Sequence, residues 1–166
     1  MNAILGGGTH LLQICFVTHT LEESAGWFAR LTGLPLPPLS YAAERDKAQA
    51  IYDGRPARVG CRIMMFHFDN IDLEFIEPGP EPSAWRDLLE RKGPGFHHIA
   101  FKTRNLTRDT VELEKAGHSL IQRGEFQSGT GRYAYFGAED VLGGLIELLE
   151  YDRDKEKQNR DKEKQN

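Results

Sequence analysis

Two glutamates stand inside otherwise apolar runs, Glu74 in Leu73-Glu74-Phe75 and Glu147 in Ile146-Glu147-Leu148. A carboxylate there is costly to bury unless it is paired or holds a cation. Two more polar side chains, Gln13 and His98, open β-branched and aromatic runs, Gln13-Ile14-Cys15-Phe16-Val17 and His98-Ile99-Ala100-Phe101. One imidazole nitrogen with three oxygen donors suits a single divalent metal ion such as Zn²⁺, Ni²⁺, Co²⁺, Mn²⁺ or Fe²⁺. Gln13, Glu74, His98 and Glu147 are therefore candidate ligands. Taken alone, each has an ordinary explanation. A Gln at a strand start is commonly a solvated edge residue, and an isolated His is commonly packed in a core or on a surface. His97 precedes His98, and strict strand alternation sends the two imidazoles to opposite faces, so only one is expected to face inward.

An internal repeat lifts the four above those explanations. Gln13–Thr32 aligns with His98–Gly117 at an offset of 85 residues without a gap. Ile14 meets Ile99, Cys15 meets Ala100, Phe16 meets Phe101, Thr18 meets Thr103 and Leu21 meets Leu106. The terminal runs Leu73-Glu74-Phe75-Ile76-Glu77 and Ile146-Glu147-Leu148-Leu149-Glu150 match as well. Gln13 thus corresponds to His98, and Glu74 to Glu147, as expected for one shared centre on a pseudo-two-fold axis. Glu77 and Glu150, facing the other way, are expected to be solvated.

The elements that must position these residues can be read around them. In the first copy, Thr20 with Glu23 makes a capping box, Leu21, Phe28 and Leu31 share a face, and Gly33 closes the helix. In the second, Asn105 caps, Leu106 and Leu113 supply the stripe, and Gly117 ends it. Strand-like runs follow at Val59–Phe68 and Ile71–Glu77, joined by a tight turn at Asp69-Asn70, and at Ser119–Arg123, Arg132–Gly137 and Leu145–Tyr151. The stretch between Leu36 and Ala50 has the weakest pattern. Pro82–Arg91 reads as a linking helix, with Trp85, Leu88 and Leu89 on one face. The expected class is α+β: two βαβββ modules forming a cupped mixed sheet around a metal site. The expected division is a first module over 9–79, a linking helix over 80–94, a second module over 95–152 and a charged tail over 153–166. That tail is RDKEKQN twice, with no apolar residue to bury.

Composition narrows the partners. At 166 residues, with 39% hydrophobic and 28% charged side chains, one self-sufficient core is possible. A net charge of −4 without a basic stripe argues against nucleic acid. No apolar run is long enough to span a membrane, and residues 1–10 do not read as a signal peptide. Cys15 and Cys61 form no CxxC pair, and a reducing, cytoplasmic location is expected. Gly6-Gly7-Gly8 precedes a strand rather than following one, so no dinucleotide cofactor is expected. A homodimer is expected on symmetry grounds.

GPGFHHIAF (Gly93–Phe101), IDLEFIEP (Ile71–Pro78) and GGLIELLE (Gly143–Glu150) resemble the vicinal oxygen chelate superfamily, the group of glyoxalase I, methylmalonyl-CoA epimerase, extradiol dioxygenases and bleomycin resistance proteins. The resemblance covers Leu11 to about Asp152. The first and last strings are most similar to methylmalonyl-CoA epimerase. The order Gln13, Glu74, His98, Glu147 resembles the animal type of glyoxalase I, whereas the epimerase carries His and Gln at its first two ligand positions. The resemblance implies a small carbonyl or thioester substrate. It also implies an isomerase or lyase that abstracts a proton beside a metal-bound carbonyl, with Glu147 as principal base and Glu74 opposite it. A non-catalytic binding protein is the alternative, followed by an Fe(II) extradiol-type dioxygenase, which Gln13 in place of a His disfavours. Arg62, Met64, Met65, Phe66, His67, Arg132, Tyr133 and Tyr135 are pocket candidates, of which alternation admits about half.

Overall fold

The repeated runs become the two central strands of one sheet. The computed structural model describes residues 3–5, 10–42 and 45–152; the doubled tail and Gly6-Gly7-Gly8 lie outside the described residues. In chain order the elements begin β1 (Leu11–Val17), α1 (Leu21–Thr32), β2 (Ser40–Tyr41), α2 (Arg45–Ala48), β3 (Ile51–Tyr52) and β4 (Arg55–Pro56). They continue β5 (Cys61–His67), β6 (Asp72–Pro78), α3 (Ala84–Lys92), β7 (Gly95–Thr103) and α4 (Leu106–Lys115). The last are β8 (Leu120–Glu125), β9 (Gly131–Ala138), α5 (Glu139–Leu142) and β10 (Gly144–Tyr151).

The ten strands form one mixed, strongly curled sheet in the order β2-β5-β6-β1-β7-β10-β9-β8-β3-β4. β1 and β7 run antiparallel at its centre, and each pairs in parallel with the last strand of its own module, β6 or β10. The β1–β7 register maps onto itself when the 85-residue offset is applied. Ile14 faces Ile99 on the axis, and the pairs Gln13–Ala100 and Cys15–His98 exchange with one another. His98 is thus in mid-strand rather than at a strand start, because β7 begins at Gly95.

α1 and α4 lie on the convex face. Leu21 and Ala25 of α1 pack on Met64, Phe66 and Phe75, while Leu106 and Leu113 of α4 pack on Ala134, Phe136 and Leu148. Gly33 ends α1 in the left-handed conformation (φ 74°), which glycine adopts without a Cβ penalty. Asn105 caps α4 by accepting from Arg108 N at 2.9 Å. Thr20 does not cap α1 in the same way: its hydroxyl turns to Glu23 Oε2 at 3.0 Å. Leu21 N donates instead to Glu77 Oε2 at 2.8 Å. Glu77 is therefore not simply solvated, since it also accepts from Arg62 Nη1 at 3.1 Å. Glu150 likewise accepts from Arg132 Nη1 at 3.0 Å.

The concave face carries a second core. Cys15, Val17, Cys61, Ile76, Ala100, Tyr133, Tyr135, Leu145 and Leu149 meet Trp85 and Leu89 of α3. The weakly patterned stretch after β2 brings Ala48 and Ala50 into this core, and β3 then pairs with β8 of the second module. No run of alternation announces this, because the strands involved are two residues long.

Candidate metal and acid–base site

Alternation on the concave face brings Glu74 of β6, Cys15 of β1 and His98 of β7 into one lateral row. The neighbouring row holds Gln13, Ala100 and Glu147 of β10. His98 Nε2 lies 3.0 Å from Glu147 Oε2 and 3.7 Å from Glu74 Oε2. Three of the four candidate ligands therefore converge. Gln13 shares their face, but its amide turns aside and donates to Met65 Sδ at 3.6 Å.

The site is closed to solvent: His98 is 0%, Glu147 4% and Glu74 6% exposed. Burial pushes the Glu74 carboxyl up to about 7; the nearby Glu147 adds to this, while His98 opposes it. For His98 burial works downward, but the attraction of Glu147 and Glu74 outweighs it and leaves the imidazole raised. Burial, then Glu74, holds the Cys15 thiol well above its ordinary value. Burial, then Glu147, does the same for the Tyr135 hydroxyl.

One feature overturns the alternation argument. His97 and His98 are both fully buried, with their Nδ1 atoms 2.8 Å apart. The cause is a β-bulge. Phe96 faces Phe16 and His98 faces Cys15, so His97 is an extra residue opposite a single step of β1. The same irregularity recurs at Leu12, between Leu11 and Gln13, which is the position equivalent to His97 in the repeat. Leu12 packs into the concave core. Each bulge thus places two consecutive side chains on the concave side.

His97 in turn contacts the carbonyl of Ala84 through Nε2 at 3.2 Å. Ala84 is held from the other side, where its N donates to Gln122 Oε1 at 2.9 Å. Gln122 Nε2 donates to Tyr133 OH, and Trp85 Nε1 donates to Tyr135 OH, each at 3.1 Å. Cys15, His97 and His98 also offer ligand atoms within 4.8 Å of one another. Cys15 did not stand out in the sequence, and alternation assigned His97 to the face opposite His98. The alignment of Leu12 with His97 was the available signal, but it carries meaning only once both bulges are known.

The donor set fits a cation. His98 Nε2 and Glu147 Oε2 are buried and, among the described residues, have no partner in hydrogen-bond geometry, although they are 3.0 Å apart. Buried polar atoms left in this way are rare and costly, and an ion between them satisfies both.

The remaining pocket candidates divide by face. Met65, Tyr133 and Tyr135 share the concave side with the carboxylates; Met64 and Phe66 lie beneath α1. Arg62 and Arg132 are engaged with Glu77 and Glu150, and His67 Nδ1 contacts Asp72 Oδ1 at 2.8 Å. An open groove of about 440 Å³ lies elsewhere, lined by Phe16, Thr18, Trp27, Arg30, Phe75 and Gly95 among others. It touches none of Glu74, His98 and Glu147, so the side chains rather than the groove mark the chemistry.

Comparison with known proteins agrees with this architecture. The structure resembles the methylmalonyl-CoA epimerase of Mycobacterium tuberculosis with a TM-score of 0.62 at 19% identity, over 91% of this chain and 93% of that one. A variant of the Streptomyces coelicolor methylmalonyl-CoA epimerase in complex with 2-nitronate-propionyl-CoA gives a TM-score of 0.61 at 20% identity, over 87% and 99% of the two chains. At the sequence level the chain is 32% identical to the uncharacterized protein YqjC of Bacillus subtilis (strain 168) over 98 residues, 58% of this chain and 70% of that protein. Residues 12–136 match the family model of the Glyoxalase/Bleomycin resistance protein/Dioxygenase superfamily, and the chain belongs to that superfamily.

Proposed function

We propose that this chain is a metal-dependent isomerase or lyase that moves a proton on the carbon beside a carbonyl, in a manner like methylmalonyl-CoA epimerase or lactoylglutathione lyase. The observation that carries this reading is the approach of two buried carboxylates, Glu147 and Glu74, to one buried imidazole nitrogen of His98. Glu74, His98 and Glu147 would hold the ion, and a turn of the Gln13 amide away from Met65 would bring a fourth donor. A divalent ion there supplies Lewis acidity to a substrate carbonyl and stabilises charge on its oxygen.

The chain's own groups then divide the work. Glu147 accepts the proton from the carbon through a carboxylate oxygen. Glu74, which reaches His98 from the opposite module, would deliver a proton to the other face of that carbon. Return to the same carbon inverts a centre; return to the neighbouring carbon completes a glyoxalase-type isomerisation. The buried concave core around Trp85, Tyr133 and Tyr135 keeps bulk water from competing as the acid. A CoA thioester is the substrate class favoured by the fold neighbours, one of which is seen with 2-nitronate-propionyl-CoA.

The test is solvent exchange. Metal-loaded protein in D₂O is incubated with methylmalonyl-CoA or with the glutathione hemithioacetal of methylglyoxal, and deuterium at carbon is followed by NMR. Incorporation is expected without oxygen or nicotinamide, falling about 10²–10⁴-fold in Glu147→Gln. Glu74→Gln should block inversion while leaving some exchange. Turnover that strictly requires oxygen, or full activity in Glu147→Gln, would overturn the reading.

A further inference from the structure

We propose that His97 is a positioning residue: it locks His98 in the tautomer that carries its proton on Nδ1, and thereby sets the cation affinity of the site. The inference rests on the reading of Glu74, His98 and Glu147 as the cation-holding set.

One hydrogen-bond chain links Ala84 to His98 through His97. A backbone carbonyl can only accept, so the contact of His97 Nε2 with Ala84 O at 3.2 Å requires a proton on that nitrogen. A neutral imidazole has one proton, which leaves His97 Nδ1 as an acceptor. With one proton on each ring, the 2.8 Å contact between the two Nδ1 atoms is made by His98 donating to His97. His98 Nε2 is then the atom directed at Glu147 and Glu74, with its lone pair available to a cation.

The chain is anchored at its far end. Ala84 opens α3 and is fixed through its own N–H to the buried Gln122. Gly144 packs beside the bulge, where an added Cβ would meet the Phe96 ring at 2.6 Å. The bulge is what makes the relay possible, because adjacent residues of a regular strand cannot share a face. Partners that orient a ligating histidine in this way are worth roughly 10–100-fold in metal affinity.

Two measurements on the protein test this. Long-range ¹H–¹⁵N correlation, on metal-free protein and on zinc-loaded protein, should show His97 protonated at Nε2 and bare at Nδ1. His98 should be protonated at Nδ1 in both samples. Chelator competition for Zn²⁺ should give a dissociation constant raised about 10–100-fold in His97→Leu, which removes both bonds. His97→Asn keeps an acceptor near the Nδ1 position and should recover most of that loss. A bare Nδ1 on His98 in the wild type, or wild-type zinc affinity in folded His97→Leu, overturns the proposal. Since neither readout uses turnover, an intact tautomer and zinc response with no carbon exchange would sink only the catalytic reading. A wild type that does not bind zinc would sink both.

Discussion

The two modules are nearly interchangeable on their convex side and quite different on their concave side. Outside, Thr18 and Ser24 share a hydroxyl contact of 2.6 Å, and the equivalent Thr103 and Asp109 are joined in the same way. Thr20 N and Asn105 N donate to the hydroxyls of Thr18 and Thr103 at 3.2 and 3.1 Å. A cross-strand Arg–Glu pair also recurs, Arg62 with Glu77 and Arg132 with Glu150. Inside, only the two glutamates are conserved between modules. Gln13 stands against His98, Leu12 against His97 and Cys15 against Ala100. Packing against a helix constrains shape and tolerates little change, whereas the single cation proposed above would need only one good nitrogen donor. The repeat gives equivalent positions, and the differences between the modules collect on the concave side.

The largest test of this contrast swaps the unequal pair. His98→Gln makes the two modules alike, and it should abolish most metal binding, by two or more orders of magnitude in affinity, since the imidazole is lost together with its orienting partner. Gln13→His makes them alike in the opposite sense and should raise affinity about tenfold. Competition with a chromogenic chelator reads both. Equal affinity in all three proteins would show that the asymmetry has no consequence for the metal.

The convex side should behave symmetrically. Leu21→Ala and Leu106→Ala, 0% and 8% exposed, each remove a buried side chain from equivalent helix starts. Each should cost about 2–5 kcal/mol in urea unfolding, with the two values close together. A difference as large as the cost itself would break the claim of equivalence.

Much of this was legible in the sequence, for identifiable reasons. The central strands, both long helices and the matched terminal strands announce themselves through apolar periodicity, and the repeat multiplies that signal. Glu74, His98 and Glu147 stood out because charged or basic groups in apolar runs need a reason. His97 did not, because alternation is a rule for regular strands, and a bulge leaves no mark in composition. Nor did the capping of α1 by Glu77, since a partner 56 residues away cannot be found from local spacing. The crossing of β3 to the edge of β8 was hidden for a similar reason: two-residue strands hold too few side chains to show a period.

A smaller effect sharpens the contrast at the glutamates beyond the ligands. Glu77 caps a helix and pairs with Arg62, whereas Glu150 pairs with Arg132. Glu77→Gln should therefore cost about 1 kcal/mol and Glu150→Gln less than that. Matched urea midpoints for the two variants would remove the distinction.

The smallest expected effect concerns acid. Glu139 is held at about 2 by its bonds to Arg91, supported by Lys92. A depressed carboxylate stabilises the fold above its unfolded value, roughly pH 4.3, and loses that contribution as pH falls towards 2. The pair is partly solvated, so the loss should be under about 1 kcal/mol. Glu139→Gln should flatten the wild-type decline in thermal midpoint between pH 4.5 and 2.5; an unchanged slope would assign that decline to other groups.

The paired bulges have one more consequence. Each works as a phase inverter along its strand. In β7 Phe96 faces the helix-packed side and meets Phe16 at 6.4 Å, whereas His98, two residues on, faces the cup, so alternation has opposite parity before and after the bulge. Deleting His97 alone would restore regular pairing with Phe16 and Cys15, leaving Phe96 and His98 on opposite faces as before and removing only the imidazole beside His98.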